Sequence, residues 1–275
     1  MGLTMDLKGG FPRVATTKKT LVSVGFEWEI PAEIENRMCT YCEEEGEEYC
    51  NCEEEQVETS YVTEQFIKTH GFRTHVECGG LEFASPVFGN IETARRIAKE
   101  LQKVARTDSC FHHRNYQYSE CGIHVHASHA NIKGYAETLA FEQRVVSMLN
   151  RKDSAQFVWE FSGRKDTEYG NQAKATQWDA EGLEEPTQRQ QGFMHSNQMV
   201  RLNCFNGDYT VDYTVEYRLW DADEGRLLPA IEFAHAVTTF MSKRKDIPYL
   251  KDFKNWLDKQ SGYNILKADS AWRLA

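Results

Sequence analysis

Polar and apolar positions alternate with a period of two along several stretches of the chain, and four of these place ionisable groups on one face: VGFEWEI (24–30), GGLEFASP (79–86), CGIHVHAS (121–128) and TVEYRLWD (214–221). Successive strand side chains point to opposite faces. Glu27 and Glu29 therefore share a face, as do His124 and His126, and Glu216 and Arg218. Val24, Phe26, Trp28 and Ile30 occupy the other side of the first stretch. Elsewhere the spacing is helical. Ile91, Ala94, Ile97, Ala98, Leu101, Val104 and Ala105 form an apolar stripe behind Asn90, a good N-cap, and predict a helix over 91–105. Further helices are expected near 61–69, over 132–149 with Tyr135, Leu139, Val146 and Leu149 inward, at or containing Pro229, and near 249–258. Strand signals recur at 72–77, 199–205 and 213–220, while 162–198 is polar, punctuated by glycine, and reads as a long loop of the kind kept for function. Strands alternate with helices but several connections are turns. The expected class is α+β: a mixed, largely antiparallel sheet with helices packed on one side.

Composition narrows the function classes. With 275 residues, 40% apolar and 27% charged, the chain can bury a substantial core as a soluble globular protein. Residues 1–20 read as a flexible lead-in and 21–275 as one domain. The net charge of −10 is local, because residues 43–58 hold nine glutamates and no Lys or Arg. No basic stripe is left to suggest nucleic acid as the partner. No run is apolar enough to span a membrane, the N-terminus lacks a secretory signal, and Asp6 stands where N-myristoylation wants Ser or Thr. A cytoplasmic protein is expected, and its eight cysteines are then thiols. Cys39-x-x-Cys42 and Cys50-x-Cys52 lie in the Cys- and Glu-rich insertion 35–58. They fit a small structural zinc knuckle, with an acidic loop carrying incidental cysteines as the rival reading. The flanking glutamates suit a basic protein partner or an amine-bearing substrate. Cys78, Cys110, Cys121 and Cys204 read as small core residues, and His112–His113 as solvated.

Taken alone, the Glu27/Glu29 segment reads better as an edge strand showing polar residues to water, and two histidines on a strand are as readily solvated as ligating. Accumulation changes this. Four strands with carboxylates, imidazoles and a guanidinium on one face make a surface that repels itself unless cations sit between the carboxylates. Glu77 and Glu82 bracket a Gly-Gly turn, so a local bulge could bring both carboxylates to one place. Gly122, ahead of the histidines, permits close approach of backbone or ligand. Hard divalent cations prefer such oxygens and bridge to phosphates, imidazoles complement them, and Arg218 offers a fork for phosphate or carboxylate. The chain contains no G-x-x-x-x-G-K-[ST], G-x-S-x-G or H-E-x-x-H.

Glu27-x-Glu29, then Glu82-x-x-Ser85-Pro86, then Gly122-x-His124-Val125-His126, then Val215-Glu216-Tyr217-Arg218 form an ordered set over residues 21–240. That set resembles the amidoligase family, ATP-dependent carboxylate–amine ligases related to glutamine synthetase and glutamate–cysteine ligase and frequent in phage and bacterial genomes. FSGR (161–164) and HSNQMVRLN (195–203) are similar to family segments as well. The resemblance implies a glutamine-synthetase-like sheet with the site on its concave face, in bacterial or phage-infected host cytoplasm. It further implies ATP and Mg²⁺ (or Mn²⁺), and a carboxylate joined to an amine through an acyl-phosphate, both substrates being small molecules or peptides. By the same resemblance Glu29 and Glu82, with Glu77, would hold one Mg²⁺, and Glu27, His124 and Glu216 a second. His126 would touch the ATP phosphates, Arg218 the transferring phosphoryl or the acyl-phosphate, and Arg164 the substrate or a phosphate. Two other classes remain open on the residues: a metal-dependent hydrolase using the same Glu/His face, and a non-catalytic scaffold acting through its zinc-and-acid module.

Overall fold

The computed structural model describes residues 22–32, 35–37, 54–77, 80–111, 121–131, 135–149, 151–163, 201–204 and 213–275. Among the described residues six strands form one sheet: β1 (Val22–Pro31), β4 (Arg73–Glu77), β5 (Gly80–Ala84), β6 (Gly122–His129), β7 (Arg201–Cys204) and β8 (Tyr213–Asp221). Their spatial order is β4-β5-β1-β6-β8-β7, and every described pairing is antiparallel. The short strands β2 (Glu35–Arg37) and β3 (Glu54–Gln56) pair with each other and close the ends of the Cys- and Glu-rich insertion.

One face of the sheet carries Val24, Phe26, Trp28 and Ile30 of β1, Ile123, Val125 and Ala127 of β6, and Val215 and Tyr217 of β8, all buried. Each large side chain removed from water here contributes about 1.5–3 kcal/mol. The helix α5 (Glu224–Met241) lies along β6 and β1 and packs on α2 (Ile91–Thr107); α3 (Tyr135–Leu149) and α4 (Ala155–Ser162) pack near β7 and β8. Two polar ties seat these layers: Trp28 Nε1 donates to the Ala222 carbonyl at 2.9 Å, and the Tyr217 and Thr238 hydroxyls lie 2.9 Å apart. The expected α+β class, with a largely antiparallel sheet covered by helices, is what forms.

Local signals account for most boundaries. Asn90 caps α2 by accepting from Glu92 N, and α1 (Tyr61–His70) ends on Gly71 in the left-handed conformation. Asp108, just past α2, accepts from Ser60 N at 2.7 Å and Thr63 Oγ1 at 2.5 Å, which ties the start of α1 to the end of α2. The last elements are α6 (Leu250–Asp258), α7 (Asn264–Ala268) and a 3₁₀ turn, Ser270–Leu274. The helix expected at or containing Pro229 contains it: Asp223 Oδ1 accepts from Gly225 N at 2.7 Å and caps α5 at Glu224, so Pro229 lies inside. One element differs from expectation. The helix α4 was not anticipated, since its eight residues AQFVWEFS are too short and too apolar to display a helical period.

Candidate metal-binding site

The strand β1 is flanked by β5 and β6, so Glu27 and Glu29 sit mid-sheet rather than on an edge. This overturns the edge-strand alternative for that segment. Cross-strand partners share a face, and the registers stack the polar residues in rows. Glu29 pairs with Glu82, and Glu82 with His75. Glu27 pairs with His124 on one side and Ala84 on the other. His126 pairs with Gly25 and with Glu216. These ionisable residues, together with Arg218, line the face opposite the apolar one. Glu29, Glu82, His124, His126 and Glu216 are buried, with Glu29 only 1% exposed; Glu27 and Arg218 are partly exposed.

Irregularities in the sheet and one glycine shape this face. Glu27 pairs with Ala84 and Val24 bridges to Phe88, so two residues of β1 oppose three (Ser85, Pro86, Val87) of the segment that continues from β5. Bulges tolerate proline, which has no N–H to give to a ladder. Ser85 completes the bulge: its backbone N donates to the Phe26 carbonyl and its Oγ accepts from Phe26 N, both at 2.8 Å. The Ser85-Pro86 pair is therefore a backbone device beside Glu27. A second irregularity lies on β8. Ile123 pairs with Trp220 and Val125 with Tyr217, so His124 opposes two residues, Arg218 and Leu219. The extra residue keeps Glu216 and Arg218 on the site face while Tyr217 and Trp220 stay in the core. At Gly80 a Cβ would collide with the Ile30 carbonyl, so only glycine lets β5 lie this close to β1.

The functional atoms converge. His126 Nε2 is 3.0 Å from Glu27 Oε1, and His124 Nδ1 is 3.3 Å from Glu27 Oε2. His124 also faces Glu29 (Nε2 to Oε1, 3.6 Å) and Glu216 (Nδ1 to Oε1, 3.7 Å). Glu29 Oε2 accepts from Gly122 N, so that glycine serves close approach of its own backbone to the carboxylate. Arg218 Nε lies 3.4 Å from Glu216 Oε1. Burial alone would raise the Glu27 pKa, but the charge of His126 and hydrogen bonds from His124 and His126 hold it far below the usual carboxylate range. Burial would lower His126; the Glu27 charge and hydrogen bond, then Glu216 and Glu82, raise it above the ordinary imidazole value. His126 and Glu27 thus each favour the other's charged form at 3.0 Å, and Glu27, Glu29, Glu82 and Glu216 bring four carboxylates to the face.

Donor atoms of Glu27, His126 and Glu216 lie within 4.8 Å of one another, and so do those of Glu27, Glu82 and His124. Glu27 belongs to both groups. Buried carboxylate oxygens with one imidazole per group, on a face that brings four carboxylates together, suit hard divalent cations. Of the other expected residues, Glu77 pairs with Gly80, two positions further along β4 from His75, and its side chain lies outside the described residues. Arg164, Cys39, Cys42, Cys50, Cys52, Cys78, His112 and His113 also lie outside them, as do residues 1–20 and 164–198. Cys121 is buried and Cys110 half-buried.

His75 was missed. It occupies the position opposite Glu82 that the Gly-Gly turn had suggested for Glu77, with Nε2 2.5 Å from Glu82 Oε1. The period-two pattern of Arg73, His75 and Glu77 was the available signal. Arg226 was also missed: its guanidinium donates to the Glu160 and Phe161 carbonyls (3.1 and 2.7 Å) and pairs with Asp221 (3.0 Å), tying the end of α4 to the end of β8.

No family model matches the chain, and no curated protein does. Among solved structures it is similar to glutamine synthetase of Plasmodium falciparum, determined by cryo-electron microscopy, at 12% identity and a TM-score of 0.43. That likeness covers 81% of this chain and 52% of the other, so the chain spans about half the length of the enzyme it matches.

Proposed function

We propose that this chain is an ATP- and Mg²⁺-dependent ligase that joins a carboxylate to an amine. The observation that carries the proposal is the single-faced convergence of Glu27, Glu29, Glu82, Glu216, His124 and His126 beside Arg218. The identity of the reaction draws on the resemblance of those same motifs to amidoligases. Glu27, Glu82 and His124 would hold one cation, and Glu27, His126 and Glu216 a second. Bound divalent ions would neutralise phosphoryl oxygens during transfer from ATP to the acid, chemistry that needs charge stabilisation more than a covalent nucleophile.

The chain's own groups have distinct tasks. Glu29 accepts from Gly122 N and faces His124, which holds that imidazole against Glu27. Arg218 is partly exposed, and its guanidinium would stabilise the charge of the phosphoryl group as it passes from ATP to the acid; Glu216, 3.4 Å away, aims it. The apolar face behind Trp28 and Phe26 keeps the donor set rigid. Among the described residues, no helix is long and apolar enough to cross a membrane.

Calorimetric titration with a non-hydrolysable ATP analogue, with and without Mg²⁺, tests the proposal. Saturable binding that needs Mg²⁺ and is lost in Glu216→Gln is expected, followed by ADP release that requires both an acid and an amine. Arg218→Lys should keep nucleotide affinity within several-fold but lose most turnover, because a point charge cannot reproduce the fork. Absence of binding at millimolar nucleotide would overturn the ligase reading. Metal-dependent hydrolysis without an amine requirement would replace it with a hydrolase.

A further inference from the structure

We infer that His75 is a positioning residue for the metal centre, acting through Glu82; this rests on the metal-site reading above. The strand β4 is the outer strand beside β5, and its register sets His75 directly across from Glu82. The imidazole Nε2 approaches Glu82 Oε1 to 2.5 Å, with the carboxylate buried and the imidazole 54% exposed. Glu82 is the donor that β5 contributes to the group with Glu27 and His124. The terminal torsion of a glutamate is broad and roughly two-fold. An imidazole bound to one oxygen narrows that torsion and leaves the second oxygen for a cation.

The pair does little for folding, because water screens an interaction made by a half-exposed imidazole. Its effect falls on ligand geometry. Groups that hold metal ligands in place typically change metal affinity by roughly 10- to 100-fold when removed. His75 also sits at the β4 side of the sheet, whereas Arg218 lies on β8, three strands beyond β5. The two flank the donor set from opposite sides, so the His75 effect should appear in metal binding and leave the Arg218 end unchanged.

The test is titration of the full chain with Mn²⁺ alone, followed by calorimetry and by the electron-paramagnetic signal of free Mn²⁺, with thermal unfolding in EDTA in parallel. His75→Ala should weaken Mn²⁺ binding about 10-fold or more while its melting temperature in EDTA stays within about 2 °C of wild type. His75→Gln retains an N–H for Glu82 and should recover most of the affinity. Wild-type affinity in His75→Ala would overturn the inference and leave the metal site standing. So would a loss that Gln fails to recover, or one matched by a drop in melting temperature. No Mn²⁺ binding by the wild type would overturn the metal site itself.

Discussion

Replacing Glu29 by Gln separates a cation-holding face from a merely buried polar one. Glu29 is almost fully buried, lies directly opposite Glu82 in the β1–β5 register, and accepts from Gly122 N. Cross-strand partners stand roughly 5 Å apart. At an effective dielectric of about 20, two such charges repel by about 3 kcal/mol. His124, 3.6 Å from Glu29, and His75, against Glu82, offset part of this. Gln keeps an acceptor for Gly122 and the side-chain volume, so the main change is the charge. In EDTA the variant should therefore be more stable than wild type by about 1–2 kcal/mol in urea unfolding. With metal the order should reverse. Wild type at a hundred times its dissociation constant gains about 2.7 kcal/mol, while the variant, in which a neutral amide replaces the carboxylate that holds His124, gains less. A variant less stable than wild type in EDTA, with an unchanged response to Mg²⁺ or Mn²⁺, would refute the reasoning and make Glu29 a structural acceptor only.

Three further outcomes are expected. Gly163 has φ +76°, and a Cβ there would overlap Asp221 and Arg226, so Gly163→Ala should cost about 1–3 kcal/mol in denaturant unfolding; a neutral effect would show that the α4 end is not clamped. His235 is held by burial, and by the nearby Arg95 charge, at a pKa of about 4, with Nδ1 2.9 Å from the Tyr263 hydroxyl. The unfolded chain takes up that proton near pH 6.5 and the folded chain only near 4, so stability is lost as pH falls between them. From pH 7 to 4.5 wild type should lose about 2 kcal/mol more than His235→Gln, and equal losses would remove His235 from the acid response. Finally, if the zinc knuckle forms, the purified protein should contain about one zinc, and Cys39→Ser with Cys42→Ser should release it; metal analysis showing none in the wild type would end that expectation.

Alternation alone was enough to sort faces. Period two put Glu27 with Glu29, His124 with His126 and Glu216 with Arg218, and left Val24, Phe26, Trp28 and Ile30 for the core, because a strand's own geometry dictates which side each residue takes. Local chemistry likewise marked the α2 helix, since the Asn90 cap and apolar stripe need no distant partner. Which strands are neighbours is a different kind of information. Only the tertiary structure sets β1 between β5 and β6, pairs Glu82 with His75 rather than Glu77, and makes Glu27 common to both donor groups. Register depends on turns, bulges and packing between segments far apart in sequence, as with Trp28 and Ala222, and a shift of one residue would reverse every face. The bulge opposite His124 illustrates the point. An uninterrupted β8 would put Trp220 on the same face as Glu216, and it is burial of Trp220 against the helices, together with the pairing to β6, that inserts the extra residue and leaves Arg218 at the site.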